Sequence, residues 1–153
     1  MLRKKRKLLK SEKGFTLIEL LAVIVILAII AAIAIPAIGN IIKNSRIDAI
    51  KSDATQVLEA AKLYEASNND AGSATNNTTT LDKDKLSSYL DDNDVSKLQD
   101  GYSVTVTEDS TSHKLTYKIT ATGKDGSVTV NFKDATLNDI NSAKKGATDI
   151  PAQ

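Results

Sequence analysis

The chain of 153 residues has no cysteine and no tryptophan, a single histidine, two prolines, and an aromatic content of only 4%. Without cysteine there is no thiol nucleophile, no thiolate ligand for zinc and no disulfide. His113 alone removes most imidazole-based metal and triad chemistry. The length suits one compact domain and excludes a large multidomain enzyme. An excess of charge is also missing, since 20 Lys and Arg face 19 Asp and Glu for a formal +1. That balance hides a partition. Residues 1–14 hold seven bases (Arg3, Lys4, Lys5, Arg6, Lys7, Lys10, Lys13) and one acid, Glu12, whereas the 139 residues that follow hold 13 bases and 18 acids.

What the chain does have is one long apolar run. Phe15 to Ile35 is broken only by Thr16 and Glu19 and is closed by Pro36. These 21 residues would form about 30 Å of helix, the thickness of a bilayer hydrocarbon core. The bases on its N-terminal flank place that end in the cytoplasm and the polar body outside. Glu19 is the anomaly, because a carboxylate at the centre of a spanning helix is unfavourable by about 2.5–3.5 kcal/mol on insertion scales. Near the helix start it costs less and suits the helix dipole.

Gly14-Phe15-Thr16-Leu17-Ile18-Glu19, after a short basic leader and at the head of an apolar run, resembles the prepilin processing site of the type IV pilin superfamily. The resemblance implies that a membrane-embedded prepilin peptidase cuts between Gly14 and Phe15 and that Phe15 is then N-methylated. It also implies that the apolar segment stays on the mature chain and that Glu19 pairs with the Phe15 amine of a neighbouring subunit during assembly. Pro36 lacks a backbone donor and Gly39 adds softness, so a bend or local unwinding is expected there. The partners implied are the peptidase, further copies of the chain in a helical filament, an assembly platform protein with its ATPase, and the cytoplasmic membrane.

The expected fold is α+β, with a long N-terminal helix packed on a small antiparallel sheet. Its parts are a leader at 1–14, a membrane or filament-core segment at 15–38 and an extracellular domain at 39–153. Ile47, Ile50, Ala54, Val57, Ala61 and Tyr64 step by three and four, so one helix is predicted from near Phe15 to about Ser67, with Asp53 and Glu65 among its surface charges. Asn68 to Gly72 stops it, and Ser73 to Thr80 reads as an exposed loop. A short helix is expected at Asp82–Leu90, capped by Thr80 and with Leu86, Tyr89 and Leu90 inward. Asp91, Asp92 and Asp94 lack the glycine and distal glutamate of a calcium loop and read as solvated carboxylates. Alternation then gives three strand faces: Tyr102, Val104, Val106; Leu115, Tyr117, Ile119; and Val128, Val130, Phe132. Turns are expected at Asp109–Ser112 and Gly123–Gly126. The tail from Ala135 reads as a loop along the sheet.

No nucleophile elbow, phosphate loop or metal-ligand set is present, so no enzyme or cofactor is expected. The leading function is a structural subunit of a type IV pilus, of the major type, for adhesion or motility. A pseudopilin of a type II secretion or DNA-uptake system is the first alternative. A membrane-anchored binding module and a secreted protein cleaved at Ala32-Ile33-Ala34 are further alternatives. An acidic body argues against nucleic-acid binding, which needs concentrated Lys and Arg.

Overall fold

The structure, a computed structural model, describes residues 16–74, 76–90 and 95–151, with the backbone alone for Gly72 and Ser73. The chain divides into two compact units, Met1–Asn40 and Ile41–Gln153. Helix α1, Leu17–Asn68, contributes its N-terminal part to the first and the remainder to the second.

In the second unit, α1 buries Ile47, Ile50, Ala54, Val57, Leu58, Ala60 and Ala61. These small and branched side chains recur every three or four residues and so lie on one face of the helix. Tyr64 is half-buried at the end of the stripe. Ile41 and Ile42 precede the stripe and are exposed. The helix closes at Asn69, which adopts the left-handed conformation (φ 53°) that asparagine tolerates, and its amide donates to the Glu65 carbonyl at 2.8 Å.

The elements that follow are α2 (Asp70–Ser73), β1 (Thr78–Asp82), α3 (Lys83–Leu86), β2 (Ser103–Glu108), β3 (Leu115–Asp125), β4 (Val128–Ala135), α4 (Leu137–Ser142) and β5 (Asp149–Ile150). The expected α+β architecture is present. The strands form one five-stranded sheet in the order β1-β2-β3-β4-β5, antiparallel except for the parallel pair β4 and β5. Val104, Val106, Ile119, Ala121, Val128, Val130, Phe132 and Ala135 join the α1 stripe in a single buried cluster. Each of the Val, Ile and Phe side chains among them stabilises by about 1.5–3 kcal/mol when fully buried.

Several local expectations are corrected. Thr78 to Thr80 are strand, not loop: β1 pairs with β2, with Leu81 opposite Val104, and it was hidden because its other inward position is a threonine. The short helix is only Lys83–Leu86, and its cap is Asp82, whose carboxylate accepts from the Lys85 amide at 3.1 Å. Tyr89 and Leu90 lie beyond it, half-buried against the core. Tyr102 is buried just before β2 begins.

The second hairpin is tighter than Gly123–Gly126. Asp125 pairs with Val128, which leaves only Gly126 and Ser127 as the loop, and Gly126 takes the positive φ (59°) that a two-residue turn needs at its first position. Gly123 is a strand residue instead. A side chain there would collide with Ile50, so glycine permits the close approach of β3 to α1.

The register between β3 and β4 shifts between Ile119 and Ala121. Asp134, with φ 49°, absorbs the extra residue, and its amide donates to the Thr120 hydroxyl at 3.3 Å. The bulge lets both Phe132 and Ala135 face the core although they are an odd number of residues apart. The first hairpin is tied by Asp109, whose carboxylate accepts from the amides of Ser112 at 2.7 Å and Thr111 at 3.0 Å. These bonds, the one from Ser112 first, hold the Asp109 carboxyl below the usual carboxylate range.

The tail is not a loop. Thr136 caps α4 through a reciprocal box with Asp139, Ile140 is buried, and Ile150 returns beside Phe132 in β5. Two charges expected on the surface are also buried, Asp53 at 5% exposure and Glu65 at 3%. Asp53 accepts from the Lys97 amide at 3.0 Å, which pins the 95–100 segment whose Leu98 bridges to Gly123.

Candidate functional site: the N-terminal apolar helix

Within the first unit, α1 begins at its cap, Thr16. The Thr16 carbonyl accepts the first helical bond from the Leu20 amide at 3.1 Å. Its hydroxyl accepts from the Glu19 amide at 3.3 Å, and the Glu19 carboxylate accepts from the Thr16 amide through Oε2 at 2.8 Å. This is a capping box, the Thr-x-x-Glu arrangement in which two otherwise unpaired helix-start donors are satisfied reciprocally. In water such a cap is worth about 1 kcal/mol. In hydrocarbon its value rises, because each unpaired backbone group there costs several kcal/mol.

Beyond the cap, the helix presents apolar side chains in every direction. Leu17 and Ile18 are 88% and 76% exposed, and Leu20, Leu21, Ile24, Leu27, Ile30, Ile33, Ile35 and Ile38 are all exposed. The helix is long and apolar enough to cross a membrane, and none of its most apolar window is buried within the chain. Such a surface requires lipid or other apolar helices around it. Helical backbone continues through Pro36 and Gly39, so no local unwinding is seen at either. A side chain at Gly39 would meet nothing within 4 Å.

Of the residues singled out in the sequence, Gly14 and Phe15 lie outside the described residues, as do Asp91, Asp92 and Asp94. Glu19, Pro36 and Gly39 all lie on α1. Thr16 is the residue that sequence reasoning passed over, although the Thr-x-x-Glu spacing was visible. His113 sits in the first hairpin with its Nδ1 2.6 Å from Glu108 and the ring largely exposed. Among the described residues no cluster of three or more His, Asp or Glu side chains is placed to hold a metal ion.

Residues 9–35 match the family model described as the prokaryotic N-terminal methylation motif. No curated protein and no solved structure matches the chain. Those residues therefore carry the type IV prepilin-like signal, which supports the pilin and pseudopilin superfamily. That motif goes with a structural protein rather than an enzyme, and with a membrane-anchored precursor processed by a prepilin peptidase.

Proposed function

We propose that this chain is a major-type structural subunit of a type IV pilus, serving adhesion or motility. The observation that carries the reading is a helix with Glu19 in its first turn inside the methylation motif, whose most apolar stretch is not buried within the chain and which continues into a folded α+β unit. The precursor sits in the cytoplasmic membrane with its basic leader inside. Prepilin peptidase cuts between Gly14 and Phe15, removing the leader that anchors the N-terminus in the cytosol, and Phe15 is N-methylated. Methylation leaves the new amine a cation.

An assembly platform protein and its ATPase then move the subunit from lipid into a growing filament on the cell surface. The exposed apolar side chains exchange lipid for a bundle of like helices, so their burial is never lost. Glu19 pairs with the Phe15 amine of a neighbour and loses its charge cost where water is absent. A subunit out of register would bury that carboxylate alone, so the pair sets the axial stagger. Pro36, with no N–H to donate to Ala32, and Gly39, with no side chain, let the helix bend as it packs.

Glu19→Ala tests this directly. The variant is expected to insert and to be cleaved normally, while filament yield from the purified surface fraction falls at least tenfold. Normal yield would sink the proposal. Imaging cells with and without the gene separates the major pilin from a pseudopilin, since loss of long surface fibres is expected and their persistence would exclude the major-subunit reading.

A further inference from the structure

The sheet has two faces. Val104, Ile119, Ala121, Val130 and Phe132 turn toward the α1 stripe, and the residues between them turn away from it. On the outward face, β3 at Thr120–Thr122 is flanked by an irregularity on each side. Toward β4, Asp134 takes up the extra residue between the pairs Ile119–Ala135 and Ala121–Phe132. Toward β2, the chain takes five steps from Leu98 to Ser103 while β3 takes three from Gly123 to Thr120, so residues 99–102 leave the regular ladder. The Gln99 backbone amide still donates to the Thr122 carbonyl at 2.9 Å, and Tyr102 is buried in the core. Bulges of this kind bend strands and re-aim side chains. Here they flank a depression of about 320 Å³ with Ala121 and Phe132 at its floor and Gln99, Gly101, Thr120, Thr122, Asn131 and Lys133 around it.

Part of this wall is fixed and part is free. The Thr122 hydroxyl donates to Asn131 Oδ1 at 3.4 Å, Asn131 Nδ2 donates to the Asp149 carboxylate at 3.1 Å, and the Thr120 hydroxyl donates to Asp134 at 3.4 Å. Bonds made in advance spare a ligand the cost of ordering those side chains. Among the described residues the Gln99 carboxamide and the Lys133 ammonium have no hydrogen-bond or ion-pair partner. Gly101 leaves the rim open, since a side chain there would meet nothing within 4 Å. A carboxamide donates and accepts, an ammonium only donates, and hydroxyls do both. A sugar hydroxyl, itself donor and acceptor, answers that mixture. The Asp134 and Asp149 carboxylates disfavour an anion here, and Lys133 disfavours a cation. The outward positions around the depression carry no aromatic or aliphatic anchor of the kind that holds a peptide. We propose that the depression binds one neutral sugar ring, with Gln99 and Lys133 taking its hydroxyls and the linked Thr122, Asn131 and Asp149 forming a fixed wall. The volume lies at the small end of ligand sites, which run about 300–1,000 Å³, and so suits a single ring. The site lies wholly within the second unit and needs no polymerisation, although repetition along a fibre would turn a weak site into an avid surface.

The test is a titration of the full chain, isotope-labelled for NMR, in amine-oxide micelles, because a maltoside detergent would itself compete for the site. Amide signals are followed as glucose, galactose, mannose, N-acetylglucosamine and N-acetylgalactosamine are added in turn, with glucuronate and inorganic phosphate as anionic probes. At least one neutral sugar is expected to give saturable shifts confined to residues 99–101, 120–122 and 131–133, with a Kd of about 1–10 mM. Thr122→Val keeps the branched shape and removes the hydroxyl, and Gln99→Ala removes an exposed side chain. Each is expected to weaken binding about fivefold, the loss of one or two hydrogen bonds. Thr116→Val, on the same face of β3 but outside the depression, should leave binding unchanged. Gln99→Ala keeps the test decisive if Thr122→Val unsettles the sheet, which the rest of its spectrum would reveal. Absence of shifts at these residues with every neutral sugar at about 50 mM would overturn the proposal. So would wild-type affinity in Gln99→Ala, shifts spread evenly over the outward face, or tighter binding of glucuronate or phosphate, which would make the depression an anion site.

Discussion

Glu19 and Glu65 stand on the same helix, and their surroundings give them opposite tasks. Glu19 lies at an exposed, apolar helix start, where its Oε2 accepts from the Thr16 amide at 2.8 Å. Glu65 is 3% exposed at the other end, its Oε2 accepting from the Ala71 amide at 3.0 Å and its Oε1, among the described residues, without a hydrogen-bond partner. It substitutes for a cap on α2, since Asn69 makes no side-chain capping bond there. Burial, and secondarily the Glu65 charge, push the Tyr117 phenol up. Tyr64 is pushed up to about 12, chiefly because its hydroxyl donates to Asp70 at 2.8 Å. Glu65→Ala removes the acceptor, leaves the Ala71 amide buried and unpaired, and opens a void. Destabilisation by about 2–3 kcal/mol is expected from urea unfolding of the detergent-solubilised chain. A change below about 0.5 kcal/mol would show that Glu65 does not hold the joint between α1 and α2.

Among the elements, α4 shows how a polar tail becomes structure. Thr136 and Asp139 exchange both capping bonds, with the Asp139 carboxylate 2.7 Å from the Thr136 hydroxyl and 2.8 Å from its amide. Those bonds, the hydroxyl first, hold the Asp139 carboxyl below its ordinary value of 3.8. A carboxyl depressed on folding stabilises fully above its unfolded value and loses that stabilisation as pH falls through the folded one. Thr136→Ala is therefore expected to cost about 1 kcal/mol at neutral pH, and the difference from wild type should shrink below about pH 4. Unfolding curves at pH 7 and pH 3 check this; a difference that does not change with pH would contradict it.

The elements most legible in the sequence were those with strong periodicity. The Ile47 to Ala61 stripe and the inward Val, Ile and Phe of β2, β3 and β4 needed only the repeats of helix and strand. Buried Asp53 escaped because its partner, the Lys97 amide, lies 44 residues away, and sequence spacing carries no record of such a contact. Strand β1 escaped because Thr78, Thr79 and Thr80 read as polar loop, and the tail because Ile140 and Ile150 are too far apart to show a period. At the N-terminal site the glutamate was visible as an anomaly and its threonine was not, since a hydroxyl near an apolar run draws no notice until the helix brings it to the third residue along.

For the molecule as a whole, the sequence partition has a consequence in the proposed life cycle. The leader at 1–14 carries seven of the 20 bases, so cleavage would change a chain of formal charge +1 into one whose side chains sum to −5. The apolar helix would remain, uncovered until it enters a bundle of its own kind. The account stands or falls on where the mature chain begins. Intact-mass measurement and N-terminal sequencing of the protein purified from the cell surface should find N-methylated Phe15 as the first residue. A first residue of Ile35, as for a conventional secreted protein, or near Met1, as for a plain anchor, would contradict it.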